Sequence, residues 1–221
     1  MQYQWDFSFL VTQYPLLLLG LWGTLVLTVI TVAIGLVLGV VFGAARSARS
    51  KLLSFPGGCY VEFFRNVPPL VLVFWFHFTV PILINQQGSP FVSATIALSL
   101  YNGAYFAEIY RSGIQSIERE QWEGGKAIGF GYFRLMRYIV LPQAIKRMIP
   151  AFANQTIDAL KLTTLASTIT FAELLYYGRL IANTEFRPLE AYTTVAVLYI
   201  VISLMLSYVS VRIESWLARS D

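Results

Sequence analysis

The chain carries few side chains with reactive chemistry. Among its 221 residues there is one cysteine, Cys59, and one histidine, His77. A single cysteine excludes a disulfide within the chain and a metal cluster built from cysteines. His77 lies in an aromatic run, where we expect a packed or hydrogen-bonded side chain. The sequence also lacks the HExxH, GxSxG and CxxC patterns, so it offers no catalytic residue and no metal site. A carboxylate-dependent enzyme stays open as an alternative, although no group of residues favours it.

Oppositely charged residues recur three positions apart, a spacing that lets side chains pair along one face of a helix. Three such pairs are Glu62 with Arg65, Glu108 with Arg111, and Asp158 with Lys161. Structural pairing is the first interpretation of each. Asp158 and Lys161 lie in an apolar stretch, however, and ionisable groups at membrane depth mark functional sites. The candidates for contact with a transported solute are therefore Lys161, Asp158, Arg65 and Glu108.

A glycine-containing basic segment, residues 118–142, is the most informative part of the sequence. It includes Glu123-Gly124-Gly125-Lys126-Ala127-Ile128-Gly129 and ends with Ile139-Val140-Leu141-Pro142. A glutamate suits the start of a helix, so we expect a short helix that begins at Glu123. Its small residues would let the surface of another protein come close to the backbone. We expect a second helix to begin at Leu141-Pro142, because proline is tolerated in a first turn.

This segment is not a nucleotide-binding loop. A Walker A motif needs a serine or threonine after Gly-Lys and a glycine five positions earlier. Here Gly125-Lys126 is followed by Ala127, and residue 120 is a glutamate. We therefore expect the chain itself to hold no ATP and no other cofactor.

The composition is that of a membrane protein. Hydrophobic residues make up 57% of the chain and charged residues only 13%, with a mean hydropathy of +0.62. Soluble domains carry about 25% charged residues. The sequence pI of 9.2 would also fit a nucleic-acid-binding protein, but so apolar a chain argues against a solvated basic face. By length we expect one transmembrane domain over residues 1–221.

Charge-free stretches and breaker residues predict an all-α, polytopic protein with about five transmembrane helices. The first span runs through residues 14–45, where Gly35, Gly39 and Gly43 share one face, by chance or for close helix packing. Breaks are expected at residues 55–58 and 66–69, and residues 171–190 are expected outside or at the outer interface. The further spans are predicted at residues 67–84, 91–110, 151–170 and 193–211.

The distribution of cations predicts the orientation of these spans. Arg46, Arg49 and Lys51 follow the first span directly, and Arg212 and Arg219 follow the last. Lysine and arginine concentrate on the cytoplasmic side of a membrane. We therefore expect the N-terminus outside, the C-terminus inside, and the basic segment in the cytoplasm.

The segment resembles the Glu-Ala-Ala signature of ABC importer permeases, in which three residues, a glycine, nine residues and Ile-x-Leu-Pro follow. The chain reproduces that spacing from Glu123 to Pro142, with glycines in place of both alanines. Further stretches are similar to the polar amino acid branch of that family, and Arg65-Asn66-Val67-Pro68 looks most like permeases for glutamate and aspartate. These stretches are residues 60–68, 103–117, 141–144 and 161–167.

This resemblance implies a multi-pass subunit of the bacterial inner membrane, with the fold of type I importers and no catalytic residue of its own. The motif match assigns Glu123, Gly124, Gly125, Ala127 and Gly129 to a coupling helix that docks on an ABC ATP-binding subunit. The implied partners are two copies of that subunit, a second permease, identical or homologous, a periplasmic amino-acid-binding protein and membrane lipid. The alternative is a secondary transporter or channel subunit that works without ATP.

Overall fold

The structure is a computed structural model that describes residues 3–48 and 50–218. Two cations of the orientation argument, Arg49 and Arg219, lie outside the described residues. Within the described part every regular element is a helix, which confirms the all-α prediction. The α-helices are α1 (Leu10–Arg46), α2 (Lys51–Asn66), α3 (Pro69–Phe74), α4 (Val80–Leu83), α5 (Pro90–Gln115), α6 (Arg119–Ala127), α7 (Tyr132–Leu135), α8 (Leu141–Leu162), α9 (Leu174–Thr184) and α10 (Pro188–Ala218).

The chain divides into two compact units. The first takes in residues 1–33, 67–99 and 157–206, and the second takes in residues 34–66, 100–156 and 207–221. In the first unit a core forms among α1, α9 and α10, with Leu17, Leu174 and Val195 among its buried members. In the second unit a core forms where α5 and α6 meet α7 and α8, around Leu135 and Met148.

The glycine face of α1 packs closely on α5 within the second unit. A Cβ atom added at Gly39 would lie 2.4 Å from Cβ of Phe106, and one added at Gly43 would lie 2.9 Å from the carbonyl oxygen of Ala107. Only the hydrogen side chain of glycine fits so close an approach, and small residues let helix backbones come into contact in lipid. The spacing of these glycines therefore reflects packing and not chance.

The break that Phe55-Pro56-Gly57-Gly58 predicted is absent, because the helix α2 runs through it. Pro56 is the sixth residue of α2 and lies inside the helix, so its missing N–H removes one helical hydrogen bond there. Gly57 is buried, and a Cβ there would lie 3.2 Å from the carbonyl oxygen of Phe42. Gly57 therefore lets α2 pack closely on α1 and does not end the helix. The second predicted break is confirmed, since α2 ends at Asn66 and α3 begins at Pro69.

Two wide turns interrupt the helical runs, each just before a proline. A π-helical turn at Trp75–Thr79 precedes Pro81, and another at Met136–Val140 precedes Pro142. A proline cannot donate a backbone hydrogen bond, and its ring collides with the carbonyl four residues earlier. A π turn relieves that collision by widening the helix. As a result α7, the second π turn and α8 form one continuous helical run from Tyr132 to Leu162.

Among the described residues, two helices are long and apolar enough to cross a membrane, at Leu10–Arg46 and Pro188–Ser215. The broken pair Lys51–Asn66 and Pro69–Leu83 would make a third. α5 falls short because its inward face carries the buried polar residues Ser93, Ser99 and Asn102. α8 has one buried polar residue, Gln155, and falls short because it carries four charged residues, Lys146, Arg147, Asp158 and Lys161. Polar groups packed inside protein do not face lipid, so these helices remain predicted spans, and the total of about five stays a prediction.

Two predicted segments differ from the structure in detail. The span expected at residues 151–170 is α-helical only to Leu162 and continues as a 3-10 helix, Thr163–Ile169. Residues 171–190, expected outside or at the outer interface, contain α9. Glu173 begins α9 as its N-cap, with side-chain oxygens that accept hydrogen bonds from the backbone N–H groups of Leu175 and Tyr176. The mixed charged and aromatic composition of residues 171–190 gives no clear signal of this cap in the sequence.

Candidate functional site

The helix of the glycine-containing segment begins earlier than the sequence predicted. α6 starts at Arg119, with Glu118 at its N-cap position, so Glu123 lies in the middle of the helix and not at its front. Residues 119–122 are good helix formers, and they extend the helix ahead of the glycines. The carboxylate of Glu123 accepts a hydrogen bond of 2.6 Å from Nε of Arg119, one turn before it. Both side chains are exposed, which leaves Glu123 available to a partner.

Gly129 ends α6 in a left-handed conformation. Its φ is +82°. The N–H of Gly129 donates to the carbonyl of Lys126 at 2.9 Å, and the N–H of Phe130 donates to that of Gly125 at 3.0 Å. These two bonds make a complete Schellman cap, which favours glycine at this position. The spacing from Glu123 to Gly129 therefore matches where the helix stops and where the chain turns.

The two glycines in the middle of α6 have different surroundings. A Cβ at Gly124 would meet nothing within 4 Å, so that side of the helix is open. Gly125 is buried, and a Cβ there would lie 2.7 Å from Leu135 Cδ1 and 2.8 Å from Ile139 Cδ1. Of the two glycines that replace the alanines of the signature, Gly124 faces outward and Gly125 faces inward. Gly125 and Ile139, near the two ends of the signature, lie against each other.

Polar contacts fix α6 to the start of α8. Nε2 of Gln143 donates to Oε1 of Gln121 at 3.2 Å, and an Nη of Arg147 lies 3.8 Å from Glu118. Arg147 also donates to the carbonyl of Ser116. Ala127 is exposed at the last position of α6. The segment is therefore a rigid hairpin of α6 and α7–α8, with an open outer face that includes Glu123, Gly124 and Ala127.

A second cluster, also in the second unit, is built around Glu108. Its carboxylate lies 2.7 Å from Arg46, 3.9 Å from Arg65 and in direct contact with Arg111. The predicted pair of Glu108 with Arg111 is confirmed. The predicted pair of Glu62 with Arg65 is wrong, because Glu62 lies 2.8 Å from Arg46. A spacing of three predicts pairs within one helix only, whereas these side chains form ion pairs between α1, α2 and α5.

Asp158 and Lys161 form the predicted pair in the first unit, with 3.1 Å between Oδ1 and Nζ. Both side chains are more than half exposed. Lys161 also lines a groove of about 490 Å³ along α10, whose other walls are mainly apolar and include Tyr199 and Leu204. Among the described residues, the ammonium group of Lys161 is the one charged group on the walls of this groove. The four candidate residues are thus placed in two separate groups, Glu108 with Arg65 and Asp158 with Lys161.

The sequence analysis missed two buried carboxylates. Glu173 is fully buried and accepts a hydrogen bond of 2.7 Å from the hydroxyl of Tyr199. Glu190 is also fully buried and accepts one of 2.6 Å from the hydroxyl of Tyr3. Both lie at or near a helix start, where a carboxylate is stabilised. The tyrosine partners could not be found from local sequence, because they lie 26 residues from Glu173 and 187 residues from Glu190 along the chain.

Comparison with known proteins places this architecture in a family. The model of the family described as "Binding-protein-dependent transport system inner membrane component" matches residues 35–219. The glutamine transport system permease protein GlnP of Escherichia coli strain K12 is 36% identical over 96% of this chain and 97% of its own length. A probable amino-acid ABC transporter permease protein of Bacillus subtilis, YckA, is 36% identical over 89% of this chain and 88% of its own.

A solved structure has the same fold. The crystal structure of an amino acid ABC transporter with histidines contains a chain that superposes on this one with a TM-score of 0.91. The two are 31% identical in sequence, and the match covers 96% of this chain and 99% of the other. Agreement at that level extends along essentially the whole length of both chains.

Proposed function

This chain belongs to the family of binding-protein-dependent transport system inner membrane components, and on that premise we propose that it is the permease subunit of an ATP-driven importer for a polar amino acid. The observation that carries the proposal is the hairpin of α6 and α7–α8. Its signature spacing ends α6 at a glycine cap and leaves Glu123, Gly124 and Ala127 on an open face. Such a face suits docking on another protein and offers no catalytic group.

The ATP-binding subunit is the partner that we assign to this face, in two copies per pair of permeases. The chain lacks a Walker A motif, so ATP hydrolysis falls to that subunit. A second permease and an amino-acid-binding protein on the outer face would complete the importer. The bacterial inner membrane is the corresponding location, and membrane lipid is the surrounding medium.

We propose glutamine as the first substrate to test. Relatives at 36% identity are named as glutamine permeases, and they match 96% of this chain. Glutamate and aspartate, which the form of Arg65-Asn66-Val67-Pro68 favours, are the second choice. All three share the α-ammonium and α-carboxylate groups, so the docking assignment does not depend on the choice.

Lys161 is our candidate for contact with the α-carboxylate of the substrate. It lines the groove along α10, and its partner Asp158 is 3.1 Å away and more than half exposed. An exposed pair contributes at most about 1 kcal/mol to stability, so its removal would leave the fold intact. We expect Lys161→Met to reduce uptake at least tenfold while the protein level in the membrane stays within about twofold of wild type.

The control for that variant is Asp158→Asn, which removes the pair but keeps the cation. We expect it to retain most of the uptake. Equal loss of membrane protein in both variants would show instead that the pair is structural.

Co-purification from native membrane tests the function as a whole. An ATP-binding subunit should accompany the chain in equal copy number to the permeases, and uptake of radiolabelled glutamine into vesicles should require ATP and the binding protein. A chain that purifies alone, with uptake that survives ATP depletion and collapses with the ion gradient, would favour the secondary transporter.

A further inference from the structure

A buried hydrogen-bonded cluster lies behind the groove along α10, and Tyr199 belongs to both. Tyr199 lines the groove, and its hydroxyl donates to Oε2 of Glu173 at 2.7 Å. Because Glu173 is fully buried, the hydroxyl end of Tyr199 lies in the core of the first unit. The part of Tyr199 that forms the groove wall is therefore its aromatic ring. The proposed contact through Lys161 uses neither Tyr199 nor Glu173.

The hydroxyl of Tyr199 is held by two further elements of the same unit. Glu173 is the N-cap of α9, and its carboxylate oxygens also accept hydrogen bonds of 2.9 and 2.8 Å from two backbone N–H groups of that helix. On α1, Oγ1 of Thr24 lies 3.5 Å from the hydroxyl of Tyr199 and accepts a hydrogen bond of 3.1 Å from the N–H of Leu174. Moving the ring of Tyr199 would break a buried hydrogen bond, which is costly. The ring is thus fixed in the groove wall.

The groove has the chemistry of a site for a zwitterion. Its volume of about 490 Å³ lies within the roughly 300–1,000 Å³ of small-molecule sites. Lys161 supplies an ammonium group, which attracts a carboxylate. The ring of Tyr199 supplies a π-system, which attracts a cation. Among the described residues that line the groove there is no aspartate or glutamate, so the ring is the group there that suits a positive charge.

We propose that Tyr199 determines the specificity of this groove for free α-amino acids, and that its ring binds the α-ammonium group of the substrate whose α-carboxylate binds Lys161. Glu173 is the positioning residue that fixes Tyr199 through its hydroxyl. This inference rests on the proposed function, because it assigns the second charged group of the substrate to the same groove. Asp158 is the competing partner for the ammonium group, since it lies 3.1 Å from Lys161, but it does not line the groove.

The test is amino-acid binding to the purified complex of permeases and ATP-binding subunits. The binding protein is left out, because its own selectivity would mask that of the groove. The probe is radiolabelled glutamine, or radiolabelled glutamate where uptake shows glutamate to be the substrate. Two unlabelled competitors each lack one charged group, the first the α-amino group and the second the α-carboxylate. We expect wild type to bind each competitor on the order of tenfold more weakly than the complete amino acid.

Two substitutions should affect different competitors. Tyr199→Leu should weaken binding of the amino acid on the order of tenfold and abolish discrimination against the competitor without an amino group. Its discrimination against the competitor without a carboxylate should persist. Lys161→Met should show the opposite pattern. A general loss of packing would change both discriminations together, so this pattern separates recognition from structure.

Tyr199→Phe and Glu173→Gln test the positioning role. Each removes or weakens the hydrogen bond that fixes the ring but keeps the ring itself. Each should therefore weaken amino-acid binding about threefold and reduce only the discrimination that depends on the amino group. The matched control is Glu190→Gln, which changes another fully buried carboxylate that accepts a hydrogen bond from a tyrosine, Tyr3. Glu190 does not line the groove, so this control should keep both discriminations at the wild-type level.

The outcomes distinguish this inference from the proposed function. If the chain purifies without an ATP-binding subunit, the proposed function fails. If ATP-driven uptake is intact but the complex binds no amino acid by itself, or Tyr199→Leu discriminates as wild type does, this inference alone is overturned. It is also overturned if Asp158→Asn abolishes discrimination against the competitor without an amino group, or if Glu190→Gln has the same effect as Glu173→Gln.

Discussion

Gly129 shows how one residue determines the end of α6. Its φ of +82° is in the left-handed region, and nothing lies within 4 Å of the position where a Cβ would stand. Space is therefore not the constraint at this position. The constraint is the backbone conformation. A residue other than glycine is less stable in this left-handed conformation by about 1–2 kcal/mol, and asparagine is the least affected.

We expect the series Gly129→Asn, Gly129→Asp and Gly129→Val to separate backbone strain from charge. Asparagine and aspartate have the same shape, but a carboxylate at a helix C-terminus is unfavourable and would face the partner. Gly129→Asn should keep most of the transport. Gly129→Asp should abolish it with membrane insertion intact, and Gly129→Val should abolish it through a disordered cap.

Uptake and membrane level, measured side by side, check this series. Full transport by Gly129→Asp with normal retention of the ATP-binding subunit would contradict the docking assignment.

At this scale the sequence pointed to particular residues, and their roles in docking stay a prediction. The spacing identified Glu123, Gly125 and Gly129, because a signature is a local pattern. It could not show that Gly125 faces inward against Leu135 and Ile139, which depends on the path of α7. Nor could it show that Glu123 lies in mid-helix, since Arg119 and its neighbours carry no distinctive start signal.

The helices themselves depend on where glycine permits contact. Gly39 and Gly58 are both in the interior of helices, yet a Cβ at Gly39 would lie 2.4 Å from Cβ of Phe106, whereas one at Gly58 would meet nothing within 4 Å. The cost of glycine for helix formation is the same at both positions, about 1 kcal/mol relative to alanine. Only at Gly39 is this cost offset, by the close packing of α1 on α5.

We therefore expect opposite effects from the same substitution. Gly39→Ala should lower the free energy of unfolding by roughly 1–3 kcal/mol, because α1 and α5 must move apart. Gly58→Ala should raise it by up to about 1 kcal/mol.

Thermal unfolding of the purified chain in detergent measures both variants. A Gly39→Ala protein as stable as wild type would mean that α1 and α5 approach less closely than the structure shows.

The sequence predicted helix boundaries where the polarity of the chain changes, as at the ends of α1. It did not predict them where tertiary contacts determine whether a helix continues. Pro56-Gly57 looks like a break, but the burial of Gly57 against α1 keeps α2 continuous. The Glu62 pairing failed for the same reason, since Arg46 of α1 is a nearer partner than Arg65.

For the whole molecule, the outstanding prediction is the orientation in the membrane. The chain has one cysteine, Cys59, so a Cys59→Ser background permits single reporter cysteines. In intact cells an impermeant thiol reagent should label Ser8→Cys, before α1, and should not label Ile128→Cys, in the docking hairpin, until the membrane is opened. Both positions are exposed in the structure.

Labelling of both reporters from outside would contradict the predicted topology of about five spans, whereas the family assignment would stand. The matches to relatives cover nearly the whole chain. The family, and with it the fold, could therefore be predicted from a short signature in the sequence. The substrate was not, because a binding path depends on side chains from several helices and from the second permease.

The π turn at Met136–Val140 has a consequence for how this region tolerates changes of chain length. A π turn holds one residue more than the α turn that it replaces, so the helical run before Pro142 contains one residue in excess of an α-helical register. Inserting a further residue there would rotate α7 by about 100° relative to α8, and Leu135 and Ile139 would turn away from Gly125. Deleting one residue would instead convert the π turn into an α turn. Between Gly129 and Pro142 we therefore expect an insertion of one residue to be more damaging than a deletion of one residue.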